Sequence, residues 1–68
     1  MKTITGITLE NLSSYYNNLD GNLYWLNEGA GCWEIVDGFS EEDCKEAMMN
    51  NVQFVYMYGP AVSCFKVN

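Results

Sequence analysis

Apolar residues near the start of the chain recur at a helical spacing. Leu9, Leu12, Tyr16 and Leu19 fall at i, i+3, i+7 and i+10, one face of a helix over residues 8–19. Thr8 is a fair N-cap, and Glu10 stands in the first turn, where the helix dipole favours a carboxylate. Asp20-Gly21 closes the segment, with Gly21 suited to the left-handed position after a helix. The intervening serines and asparagines lower its helix propensity. Upstream, Thr3-Ile4-Thr5-Gly6-Ile7 alternates polar and apolar positions and reads either as a short edge strand or as an extended lead-in.

From residue 22 the period falls to two. Residues 22–27 form a strand with Leu23 and Trp25 on one face and Tyr24 and Leu26 on the other, and residues 32–36 read as its partner. Glu28-Gly29-Ala30-Gly31 between them has hairpin length. It is not a phosphate cradle, because the P-loop lysine is missing and no helix follows. Asp37-Gly38 turns the chain into a well-marked helix start. Ser40 is the N-cap, Asp43 completes a capping box, and Phe39 is placed to staple onto Cys44. Cys44, Ala47 and Met48 form the buried stripe of a helix that frays near Asn50-Asn51. Residues 52–58 are a β-branched and aromatic strand, Gly59-Pro60 a turn, and residues 61–67 a last strand making a second hairpin. The order α-β-β-α-β-β predicts one α+β domain over residues 1–68, without linker or repeat. Its two layers are a four-stranded, mostly antiparallel sheet and two helices on one face.

Composition narrows the chemistry. The 68 residues are 49% apolar and 15% aromatic, enough for a core at a length close to the lower limit for independent folding. The charged fraction of 18% argues against disorder. Nine acidic residues face three lysines, with no arginine and no histidine, for a net charge of −6. Without histidine the Ser-His and Cys-His nucleophile pairs are excluded. Without arginine there is no bidentate clamp for phosphate. Lys2, Lys45 and Lys66 cannot neutralise a nucleic-acid backbone against nine carboxylates, so no direct nucleic-acid binding is expected. Neither a catalytic activity nor a cofactor is expected.

Cys32, Cys44 and Cys64 are odd in number and lack CxxC spacing. They read as small buried hydrophobes in a reducing cytoplasm, or alternatively as one bridge and a free thiol. The N-terminus has no continuous apolar stretch of signal-peptide type, and the longest apolar run is too short to span a bilayer. A cytoplasmic protein without membrane contact is expected.

Two features remain as candidate binding surfaces. Asp37, Glu41, Glu42, Asp43 and Glu46 place five of the nine carboxylates within ten residues. The helix start accounts for Glu41, Glu42 and Asp43. It does not account for Asp37 or Glu46, and Glu42 and Glu46 form a like-charge pair one turn apart. The cluster therefore reads as a solvated helix start or as an interaction surface. It lacks EF-hand spacing and the distal bidentate glutamate, which leaves at most a weak, nonspecific cation site. A glycosidase pair would need a cleft that a domain this small has little depth to provide. The second feature is aromatic. If the helices cover one sheet face only, tyrosines on the other meet solvent, with Tyr24, Tyr56 and Tyr58 as candidate partner-binding residues. Base stacking on such a face is disfavoured without a basic groove.

In overall character the chain resembles small phage-encoded anti-defence proteins of the anti-CRISPR type. It is short, acidic, free of arginine and histidine, and carries Asp37-Gly-Phe-Ser-Glu-Glu-Asp-Cys-Lys-Glu46. The resemblance implies a non-enzymatic inhibitor that binds the basic nucleic-acid-binding surface of a host surveillance complex or nuclease and mimics phosphate charge. The alternative is a homo-oligomeric or scaffold domain that uses its aromatic sheet face.

Overall fold

The computed structural model describes residues 2–66. In chain order the elements are β1 (Thr3–Ile4), α1 (Leu12–Tyr16), β2 (Gly21–Asn27), β3 (Cys32–Ile35), α2 (Glu41–Met49), β4 (Phe54–Tyr58) and β5 (Cys64–Lys66). The strands form one antiparallel sheet in the order β1-β4-β2-β3-β5. The α+β class is as expected, but the sheet has five strands rather than four. The N-terminal segment joins it as an edge strand, Thr3 opposite Met57 and Ile4 opposite Tyr56.

The β2–β3 hairpin forms, with Asn27 opposite Cys32. The second expected hairpin does not. β4 lies between β1 and β2, while β5 pairs with β3 on the far side of the sheet. The physical reason lies in the strands themselves. Four of the five residues of β4 are buried, so this strand gains most from a central place with both edges paired. β5 exposes Cys64 and Lys66, as an edge strand tolerates. Residues 59–63 therefore arch past β2 to the far side of β3, with Val62 over Tyr24, instead of turning back on β4. Val67, at the end of the expected strand, lies outside the described residues.

Alternation along the strands gives each sheet face its own core. On one face Leu23 lies opposite Tyr56 and Trp25 opposite Phe54. These side chains cluster with Leu12 and Tyr16 of α1 and with Cys44, Ala47 and Met48 of α2, so both helices cover this face. On the other, Tyr24 and Val55 lie opposite each other and join Met57, Trp33, Ile35, Val62 and Phe65. This second face is roofed by the chain's own arch. Tyr24 is fully buried; its hydroxyl accepts a hydrogen bond from the Val62 N–H at 3.1 Å, and its ring meets Phe65 edge-on at 5.1 Å. Tyr56 is equally buried beneath the helices, and its hydroxyl donates to the Asn18 carbonyl at 2.9 Å. Each buried phenol thus finds the polar partner that its burial demands.

α1 is shorter than its apolar spacing implies. Leu12 is completely buried, but Leu9 is 48% and Leu19 96% exposed. Polar side chains take over the backbone at both ends, as short hydroxyl and amide residues do. At the start, the Thr8 N–H donates to Asn11 Oδ1 at 2.7 Å and Asn11 Nδ2 donates to the Gly6 carbonyl. Beyond the end, the Asp20 N–H donates to Asn18 Oδ1. Gly21 does not occupy the left-handed position expected of it. It is the first residue of β2, where a Cβ would lie 2.3 Å from the Met57 carbonyl oxygen. The glycine permits close approach of two strands.

Candidate functional site

α2 carries the acidic cluster, and both of its ends are firmly closed. Ser40 is the N-cap: its Oγ accepts from the Asp43 N–H at 3.1 Å, and Asp43 Oδ2 accepts from the Ser40 N–H at 3.1 Å, the reciprocal capping box. At the other end the chain does not fray. Asn51 adopts a left-handed conformation with φ of 68°. The Val52 N–H bonds the Ala47 carbonyl and the Asn51 N–H bonds the Met48 carbonyl, at 3.0 and 2.9 Å, which is a Schellman closure. The Tyr16 hydroxyl donates to the Phe39 carbonyl at 2.6 Å, so α1 anchors the turn that leads into α2.

The five carboxylates differ in role. Glu41 is half-buried; it accepts from Asn17 Nδ2 at 3.4 Å and pairs with Lys45 at 3.4 Å. Glu42 is exposed and shares the same Lys45 ammonium at 3.6 Å, which offsets its repulsion from Glu46. Asp43 is exposed, with one oxygen committed to the cap. Asp37 and Glu46 are exposed and form no ion pair among the described residues. The excess charge that the helix start left unexplained is therefore the charge that stands free in the fold.

The tyrosines do not join this surface. Tyr24 and Tyr56 have no exposed area and sit in different cores on opposite faces of the sheet. Tyr58 is half-buried, with the Lys2 ammonium 6.0 Å from its ring centre. On the face away from the helices, Trp33 and Phe65 stack at 6.3 Å and are half-buried.

A groove lies beside α2. It encloses about 370 Å³, with Trp25, Val36, Phe39, Val52 and Phe54 among its apolar walls and Asp43 and Glu46 on the α2 side. This volume lies within the range of small-ligand pockets. The groove joins residues from β2, the turn before α2, α2 itself and β4, which no local pattern brings together. The one trace of it in the sequence is Phe39, read as a staple onto Cys44. Both residues border the groove, but Phe39 remains 50% exposed.

Cys32 and Cys44 are buried and Cys64 is exposed, all unbridged. Burial pushes the Cys44 thiol up, and the Asp43 and Glu41 charges push it further. It is therefore a neutral thiol at pH 7, not a nucleophile. Among the described residues no His, Cys, Asp and Glu side chains gather into a metal-binding group, and no helix is long and apolar enough to cross a membrane. Comparison with known proteins finds no family model, no curated protein and no solved structure that matches this chain.

Proposed function

We propose that the chain is a non-enzymatic binding protein whose α2 face docks onto a basic, nucleic-acid-binding surface of a partner protein and blocks that surface by charge mimicry. The observation that carries the reading is the set of exposed carboxylates Asp37, Glu42, Asp43 and Glu46 around a capped helix, with Lys45 as the only cation on that helix. Such a surface attracts a positive partner over distance and repels nucleic acid and other acidic proteins. The resemblance in character to anti-CRISPR-type inhibitors gives the partner class, a host defence nuclease or surveillance complex. An interface on the aromatic sheet face is less well supported, because the arch and the helices already bury Tyr24 and Tyr56.

The test is parallel capture from a bacterial lysate on immobilised wild-type chain and on Asp37→Lys with Glu42→Lys, both sites being exposed. The expected result is a nucleic-acid-binding protein retained by the wild type, released by added duplex DNA, and bound about tenfold or more weakly by the double variant. Retention that ignores both the DNA and the charge reversal would refute the proposal.

A further inference from the structure

The groove beside α2 combines three properties. Trp25, Phe39 and Phe54 give it aromatic walls, Val36 and Val52 aliphatic ones, and Glu46, which forms no ion pair among the described residues, borders it. Asp43 stands there too, one oxygen bonded to the Ser40 N–H. Lys45 is drawn to Glu41 and Glu42, Lys2 lies against Tyr58, and Lys66 is on β5 at the sheet edge. The chain thus leaves an apolar cleft edged with negative charge, and among the described residues no lysine lines it.

A group that matches such a cleft is apolar along its stem and cationic at its tip. Lysine and arginine side chains have this form. Arginine adds a planar face that stacks on aromatic rings while its N–H groups reach carboxylates. We infer that the groove seats one arginine or lysine side chain of the basic partner surface. Its stem lies against Val36, Val52 and Phe54, and its charged head lies toward Glu46 and Asp43. The inference rests on the reading of α2 as a partner-binding face and adds what long-range attraction does not supply. A buried anchor in a pocket fixes register, as the energetic centres of interfaces do.

The test titrates the isotope-labelled full chain, followed by NMR, with N-acetyl-arginine amide, its neutral citrulline isostere and the apolar norleucine analogue. The arginine amide is expected to saturate with a dissociation constant of roughly 1–10 mM, shifting the Trp25 indole and the Ala47 amide while the Trp33 indole stays still. The citrulline amide should bind about fivefold more weakly or worse. Glu46→Gln, at an exposed position, should weaken the arginine amide by a similar factor and leave the citrulline amide unchanged. Equal affinity for all three probes would make the groove a plain apolar pocket and overturn the inference. Shifts centred on Trp33, or no saturation, would overturn it as well. A hexa-arginine peptide separates this inference from the charge reading. If the amide misses the groove while the peptide binds with steep salt dependence and is weakened by Asp37→Lys with Glu42→Lys, the groove fails and the charge reading stands. If the amide seats in the groove while the peptide ignores salt and charge reversal, the charge reading fails and the groove stands.

Discussion

Tyr24→Phe removes a single oxygen atom from the centre of the molecule and tests what covers the second sheet face. The ring stays packed, because its edge-on contact with Phe65 and its place opposite Val55 do not involve the hydroxyl. What disappears is the acceptor for the Val62 N–H at 3.1 Å. Val62 is half-buried in the arch, so water reaches its N–H only in part. The cost lies between a net hydrogen bond and a fully unsatisfied donor, about 1–2 kcal/mol. For a domain of this size that corresponds to a melting temperature lower by roughly 5–15 °C. The loss should also be local. The arch presents the Ser63 carbonyl to the Ile35 N–H at 3.1 Å, so Ile35 should exchange its amide hydrogen faster than the overall loss of stability explains, while amides between β2 and β4 should not. Thermal denaturation followed by circular dichroism, with hydrogen exchange by NMR, reads both effects. A melting temperature within about 1 °C of wild type, with unchanged Ile35 exchange, would refute the claim that Tyr24 holds the arch in place.

Three other outcomes follow from the same structure. Ser40→Ala should cost about 1 kcal/mol through loss of the N-cap, and a wild-type urea midpoint would contradict the capping box. Gly21→Ala should be far more harmful than an ordinary strand substitution, by about 1–3 kcal/mol, because its Cβ would stand 2.3 Å from the Met57 carbonyl oxygen; a neutral effect in the same assay would show that β2 and β4 can separate freely. Burial raises Cys44 and Tyr56 above their ordinary values of 9.0 and 10.0, so the unfolded chain gives up these protons first. Their contribution to stability is intact below pH 9.0 and falls as pH rises through 10.0 and beyond. Urea midpoints that stay level through that window would contradict the burial of these two groups.

Local signals in the sequence were reliable where one residue's chemistry decides the backbone. Ser40 and Asp43 form the box their spacing implies, and the four-residue loop from Glu28 to Gly31 closes the hairpin it suggests. The apolar spacing of Leu9, Leu12, Tyr16 and Leu19 overstated α1, because Thr8, Asn11 and Asn18 satisfy backbone groups in turns and leave Leu9 and Leu19 outside. Strand pairing was the least legible feature. Nothing local to residues 52–66 distinguishes a hairpin from an arch; the choice depends on how much apolar surface β4 buries at the centre of the sheet. The same gap explains the site. The carboxylates of α2 are contiguous in sequence and legible there, with Asp37 and Glu46 in excess of what a helix start needs. Tyr24 is buried because Val62, distant in the chain, packs over the second face, and Tyr56 because its side of β4 is the one the helices cover; neither cover is visible in the local pattern. The groove is not legible in the sequence because Trp25, Phe39 and Phe54 meet only in the folded molecule.

The most direct test of the account is a competition measurement between this chain and labelled duplex DNA for the captured partner, read by fluorescence anisotropy at several salt concentrations. The account predicts that the chain displaces the DNA competitively and that its affinity for the DNA-free partner falls steeply as salt rises. It also predicts that Asp37→Lys with Glu42→Lys raises the concentration needed by about tenfold or more. A ternary complex in which DNA stays bound, or an affinity indifferent to both salt and charge reversal, would contradict it.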